Sequence, residues 1–335
     1  MAEPESIGLT GKDVSSDPAI EKVIAAQAKV YELQRVNKAL RRDREDLLAE
    51  YQYAQSARKL PPRKRARAGK KRADSVRVSA GDVHGMRMDK AAVNVFLSDL
   101  AMLDPDTVVL GGDIAECGGW LAKHQPIGYV ALSDYTYQED IGASNWFLDE
   151  VQKAAPHAEI HYLEGNHEDR VERWCVDQTM ANQRDAQFLR DAFSPAALLR
   201  LNDRGIKYYR RSEIYGDGLP RGWIKLGKMF YTHELGASSN AARQAVLKTA
   251  GNVTYFHTHR EDTATIVYPS VGMVKAFCPG CLSEMQPIWK HSDPTNWSQG
   301  YALDVIAKSG NYQRIHVPIW RGESLAGAMV ERFRS

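Results

Sequence analysis

Three times in the first half of the chain a short aliphatic run ends on glycine and then on a side chain that binds protons or metals. VRVSA at 76–80 leads into Gly81-Asp82-Val83-His84-Gly85, and TVVL at 107–110 into Gly111-Gly112-Asp113. IHYL at 160–163 leads into Glu164-Gly165-Asn166-His167-Glu168. Between these runs apolar residues recur at helical spacing: Ala92, Val93, Phe96, Leu97 and Leu100 within 89–102, then Trp146, Phe147 and Val151 within 145–153. Strand, helix, strand, helix, strand is the grammar of a layered α/β domain. In that architecture the loops after the strands converge on one sheet edge, the usual place for a site.

Helical patterns fill much of 168–201. Strands then dominate, at 206–209, 223–226, 229–232, 253–257, 264–268 and 273–277, with one helix at 238–250. Segments 301–307 and 312–318, joined by Ser309-Gly310-Asn311, read as a hairpin. No internal repeat is apparent. A chain of 335 residues can bury a core without disulfide staples, and four cysteines are too few for a secreted disulfide scaffold. No apolar run is long enough to span a bilayer, and the N-terminus has no apolar signal-peptide core, so a cytoplasmic location without membrane contact is expected.

The net charge of +2 hides an uneven distribution: residues 1–73 hold 17 Lys/Arg against 10 Asp/Glu, and residues 74–335 hold 27 against 32. Nine of the fifteen residues in 58–72 (RKLPPRKRARAGKKR) are basic. Arg63, Lys64, Arg65, Arg67, Lys70, Lys71 and Arg72 suit a phosphate-binding arm for DNA or RNA, and a solvated linker is the plainer reading. Upstream, residues 1–17 are polar and unpatterned, with disorder expected. Asp17-Pro18 opens a helix over 18–57 whose heptads place Ala19, Ala26, Leu33, Leu40, Leu47 and Ala54 at d, and Val23, Val30, Asn37, Arg44 and Tyr51 at a. That seam predicts a coiled coil and a homo-oligomer, with a dimer favoured by the single Asn at a. Leu60-Pro61-Pro62 ends the helix. The resulting division is a tail at 1–17, a coiled coil at 18–57, a basic linker at 58–73, a catalytic domain at 74–320 and a C-terminal tail at 321–335.

The chemistry lies after residue 73. Asp82 and His84 stand two apart, so an extended chain points both to one side. Two later segments add histidines in the same way, Tyr231-Thr232-His233 and Phe256-His257-Thr258-His259. Two aspartates, one asparagine and four histidines form a mixed oxygen and nitrogen set that suits manganese, iron or zinc better than magnesium alone. Seven donors exceed one tetrahedral site and fit two metals sharing a carboxylate. Such a pair generates hydroxide near neutral pH and clamps phosphoryl oxygens.

The order of these five segments resembles the calcineurin-like metallophosphoesterase superfamily of the bacterial and phage type, whose pattern runs D-x-H, G-D-x-x-D, G-N-H-[DE], H, G-H-x-H. The similarity covers roughly 76–260. It implies a β-sandwich flanked by helices, preceded here by the coiled-coil helix, and two divalent cations, manganese first, with iron or zinc as alternatives. By that resemblance one cation takes Asp82, His84, Asp113 and His259, and the other Asp113, Asn166, His233 and His257. His167 would protonate the leaving oxygen or stabilise phosphoryl charge, Glu168 would orient it or a neighbouring ligand, and Arg170 would reach a substrate phosphate.

Two positions depart from the family. Glu116 stands where Asp is common, with Cys117-Gly118-Gly119 and no arginine after it, and Phe256 replaces the glycine before the last His-x-His. Phe256 is expected to reshape the pocket. Cys278-Pro279-Gly280-Cys281 has the spacing of half a zinc site or a redox pair, with plain packing as the simpler reading. Trp120, Tyr129, Tyr135, Tyr137 and Trp146 read as core packing or as base-stacking surface. His124 is a candidate to approach the metals, while His157, His161, His291 and His316 read as structural. The expected activity is hydrolysis of phosphodiesters in nucleic acid or nucleotides by a metal-bridging hydroxide. A phosphomonoesterase is the alternative, and a coiled-coil adaptor with a vestigial site comes third.

Overall fold

The computed structural model describes residues 29, 60–61, 74–118, 135–178, 183–287, 294–324 and 326. The chain divides into two compact units, Met1–Lys59 and Leu60–Ser335. Of the first unit only Lys29, which is helical, is described. The expected coiled coil, the seven basic arm residues, Trp120, His124, Tyr129 and His291 lie outside the described residues.

The second unit is mixed α/β, with two sheets flanked by helices. The first sheet runs β11-β10-β1-β2-β3-β4, with β1 (Ser75–Ala80), β2 (Thr107–Leu110), β3 (Glu159–Leu163) and β4 (Lys207–Tyr209) parallel. The antiparallel hairpin β10 (Gln299–Ile306) and β11 (Tyr312–Ile319) closes its edge beside β1. The second sheet runs β5-β6-β7-β9-β8: β5 (Ile224–Leu226), β6 (Met229–Tyr231), β7 (Asn252–Thr254), β9 (Gly272–Pro279) and β8 (Glu261–Tyr268). Here β6, β7 and β9 are parallel.

Alternation along the strands decides which layer each side chain joins. In β2, Val108 and Leu110 face the helical layer, while Val109 joins Leu163, Ile224, Met229, Tyr231 and Phe256 in a core shared by strands of both sheets. The helical layer begins with α1 (Lys90–Leu103), whose Asp89 side chain accepts the Ala91 and Ala92 amides at 2.9 and 3.1 Å as an N-cap. Its Ala92, Val93, Phe96 and Leu100 are buried at helical spacing.

The next helix, α2 (Tyr137–Ala154), starts two turns earlier than its apolar pattern predicts. A Thr136/Glu139 capping box opens it. The early turns were hidden because they bury polar groups: Asp140 accepts the amides of Met86 (3.0 Å) and Cys117 (2.8 Å), and Ser144 donates to Asp140 O. Then follow α3 (Asn166–Gln178), α4 (Gln183–Phe193), two single helical turns at Pro195–Leu198 and Leu201–Arg204, and α5 (Ala241–Thr249), which packs on the second sheet. Tyr135 and Tyr137 are buried and Trp146 packs on the core, so these three aromatics take the packing role. The four cysteines are buried thiols. Among the described residues no helix is long and apolar enough to cross a membrane.

Candidate metal centre

The parallel strands of both sheets end at the same place. Ala80, Leu110 and Tyr162 are register partners in the first sheet, and Tyr231, Thr254 and Phe277 in the second. The next few residues of β1, β2 and β3 bring Asp82, His84, Asp113, Asn166 and His167, and those of β6 and β7 bring His233, His257 and His259.

The backbone does this in a way that simple strand geometry does not. Asp82, His84, Asp113, His257 and His259 all have positive φ, between 50° and 73°. Asp82 and His84 do come together in one group, as their spacing predicts, but through left-handed turns and not an extended chain. The strand β7 stops at Thr254, and His257 and His259 each turn left-handed into different groups. Such conformations cost about 1 kcal/mol or more each for residues with a Cβ, and they concentrate at functional sites. Hydrogen bonds between loops hold them: Asp82 N–H donates to Gly112 O, and the Val83 and His84 amides both donate to Asp113 O at 2.9 Å. Glycine is required at 165, because a Cβ there would lie 2.0 Å from Asp113 Oδ1.

Three overlapping groups can hold a metal ion: Asp82, His84 and His259; His84, Asp113 and His167; and Asp113, His233 and His257. None includes a cysteine among the described residues. Asp113 joins the last two. Its Oδ2 is buried and accepts no hydrogen bond, yet imidazole nitrogens face it from three sides, His233 Nε2 at 3.3 Å, His167 Nε2 at 3.8 Å and His84 Nε2 at 3.9 Å. His84 Nε2 also meets His259 Nε2 at 3.0 Å, a contact that requires a proton or a cation between the rings. Asn166 Oδ1 lies 3.0 Å from His233 Nε2. A buried carboxylate oxygen without a donor, ringed by nitrogen donors, fits divalent cations of the borderline class.

The outer nitrogens of His233, His84 and His167 are anchored in the way common for metal-binding histidines, whereas His259 Nδ1 is buried without a hydrogen-bond partner. His233 Nδ1 bonds Gly111 O at 2.8 Å, and His84 Nδ1 bonds Glu116 Oε2 at 2.5 Å. Glu116 also reaches His167 Nδ1 at 3.2 Å, and its carbonyl lies 2.7 Å from the same nitrogen. The sequence departure at 116 thus supplies one carboxylate to two histidines. Glu168 does not touch His167. Its oxygens accept the amides of Asp113, Ile114, Ala115 and Gly165 and the Tyr162 hydroxyl, so it fixes the loop that carries Asp113. Arg170 Nη1 lies 3.2 Å from His167 Nδ1.

Phe256 stays out of the pocket. Its ring seats between the sheets against Gly111, where a Cβ would come within 2.3 Å of it. The larger residue is accommodated by the glycine that follows β2. Glu234 is missing from the motif-based reading: its Oε1 lies 3.9 Å from His257 Nε2 and its Oε2 accepts Arg211 Nη2 at 2.7 Å. It directly follows His233, which is the only hint the sequence offers.

Electrostatics follow from burial and pairing. Burial favours neutral imidazole, but the Asp113 carboxylate overrides it at His233 and holds that ring up at about 9. Asp82 does the same for His259, at about 10. At His167 burial is outweighed by Asp113 and then Glu116, which raise it. Burial would raise the Asp113 carboxyl, yet His233 and His167 hold it well below the usual range. His84 and His257 are lowered, chiefly by burial.

No protein-family model matches the chain, and no curated protein does. Among solved structures the chain is similar to a single-mutant form of Vps29 from Entamoeba histolytica, 13% identical over 74% of this chain and 95% of that one, with a TM-score of 0.35. Vacuolar Protein Sorting 29 from Cryptosporidium parvum is 10% identical over 76% and 95%, TM-score 0.35. YfcE, a phosphoesterase from E. coli, is 17% identical over 72% and 98%, TM-score 0.30. None of these likenesses assigns the chain to a family.

Proposed function

We propose that the protein is a metal-dependent phosphodiesterase acting on nucleic acid or nucleotides, with two divalent cations held by Asp82, His84, Asp113, Asn166, His233, His257 and His259. The observation that carries the reading is the undonated Oδ2 of Asp113, faced by three imidazoles from two sheets. A cation pair bound there, manganese first, would neutralise phosphoryl oxygens and acidify an attacking water.

The chain's own groups do the rest. His167 hydrogen-bonds Glu116 through Nδ1 and turns Nε2 toward Asp113. With its basicity raised by Asp113 and Glu116, it holds a proton at Nε2 for the departing oxygen. Arg170 stands beside it as a guanidinium for a phosphoryl oxygen. Glu116 and Glu168 orient these groups without meeting the substrate. The diester reading is supported by the basic run at 58–72, which suits an anionic polymer. A coiled coil over 18–57 would pair two such sites and raise the local concentration of polymer.

The test uses purified full-length protein with Mn²⁺ on bis-p-nitrophenyl phosphate and p-nitrophenyl phosphate in parallel. The expected result is faster diester turnover, abolished by Asp113→Asn and reduced by His167→Ala. Faster monoester turnover would replace the reading with a phosphatase. No turnover with manganese, iron or zinc would replace it with a coiled-coil adaptor.

A further inference from the structure

Thirty-eight residues beyond the last histidine motif the chain returns to the metal centre. Trp297 places its ring 4.0 Å from that of His259, tilted by 53°. His259 is buried, whereas Trp297 remains partly exposed. The indole therefore covers the imidazole on one side and leaves part of its own surface to solvent, at the rim of a polar cluster. Its backbone is pinned through the residue that follows it. The Ser298 amide donates to His259 O at 2.8 Å, Ser298 O accepts the Cys281 amide at 2.9 Å, and Ser298 Oγ accepts the Glu261 amide.

The two sides of the centre differ in character. Beside His257 the rim is charged, with Glu234 and Arg211 paired. Beside His259 the rim carries the aromatic face of Trp297. An apolar flat surface held next to a phosphoryl-binding centre has a natural complement in a planar ring joined to a phosphate. Base–aromatic stacking is tolerant of base identity because every base has a π-face.

Building on the phosphodiesterase reading, we propose that Trp297 is a stacking platform for a nucleobase flanking the scissile phosphate, which makes the substrate a nucleotidyl ester. Stacking of this kind corresponds to about 5- to 150-fold in KM.

The test compares two esters that share a p-nitrophenyl leaving group, thymidine 5′-monophosphate p-nitrophenyl ester and methyl p-nitrophenyl phosphate, with Mn²⁺ and the full chain. Trp297→Ala should raise KM for the thymidine ester so that the ratio of kcat/KM between the esters falls about fivefold or more. Trp297→Phe should restore most of that ratio. An unchanged ratio overturns the proposal, and an equal loss on both esters would show instead that the indole only positions His259. If the unmodified protein turns over neither ester, the phosphodiesterase reading fails separately. The stacking is then read by fluorescence: thymidine 5′-monophosphate should quench the part of the emission that Trp297→Ala removes, and no quenching of that part overturns it.

Discussion

The two sheets contribute opposite chemistry to one centre. The first lies under α1 and α2, and its parallel strands deliver every oxygen donor of the proposed set, Asp82, Asp113 and Asn166, together with His84. The second has a single described helix on it and strands of only three residues at β5, β6 and β7, and it delivers His233, His257 and His259. Carboxylates from the first sheet meet imidazoles from the second in two of the three groups, while His84, Asp113 and His167 come from the first sheet alone. The strained loops follow from this division: left-handed backbone just after β1, β2 and β7 turns Asp82, His84, Asp113, His257 and His259 toward a seam between the sheets.

The comparison breaks most directly at the seam itself. Phe256→Ala removes the ring that fills the shared core against Gly111, and should destabilise the protein by about 3–5 kcal/mol in denaturant titration. A loss under about 1 kcal/mol would mean that the sheets are coupled elsewhere.

Glu168→Gln acts on the first sheet alone. It replaces one of two oxygens that together accept four amides and a hydroxyl, at a cost of about 1–3 kcal/mol. Manganese affinity should fall with it, while the ring signals of His257 and His259 in NMR of the metal-free protein stay in place. Movement of those signals would show that the Asp113 loop also organises the second sheet.

Much of this division was readable in advance. The strand-to-loop grammar at Gly81, Gly111 and Gly165 located the first sheet's donors, and the two histidine segments located the second's. What the residues could not reveal was conformation without a local signal. Nothing in His-Thr-His marks two left-handed residues, because the hydrogen bond from the His257 amide to Asp82 that holds the turn spans 175 positions. The first turns of α2 were missed because Asp140 and Ser144 are buried for their hydrogen bonds rather than for hydrophobicity. Phe256 read as an intruder because its partner glycine follows a strand of the other sheet. Trp297 carries no motif at all.

Protons should distinguish the sheets next. His233 and His259, held at about 9 and about 10, lie above the ordinary histidine value of 6.5. A raised folded value stabilises fully below 6.5 and is lost as pH rises through the folded value. The metal-free protein should therefore lose melting temperature between pH 7 and 10, and bound manganese should reduce that loss. Binding at pH 7.5 should release protons, seen as a buffer-dependent heat in calorimetry, and affinity should rise with pH. A heat independent of the buffer would contradict these assignments.

The smallest expected effect belongs to Arg170→Ala, on the first sheet's side. Losing one guanidinium beside His167 should lower kcat/KM on bis-p-nitrophenyl phosphate about tenfold, or ~1.4 kcal/mol, without changing manganese affinity. A weaker manganese affinity would show that Arg170 supports the donors instead of the substrate.

In the proposed centre Asp113 would join donors from both sheets around two cations. Anomalous diffraction at the manganese edge, from crystals grown with Mn²⁺, tests it most directly. Two peaks about 3.5–4 Å apart, with Asp113 Oδ2 between them, are expected. A single peak, or a pair that leaves Asp113 uncoordinated, would contradict it.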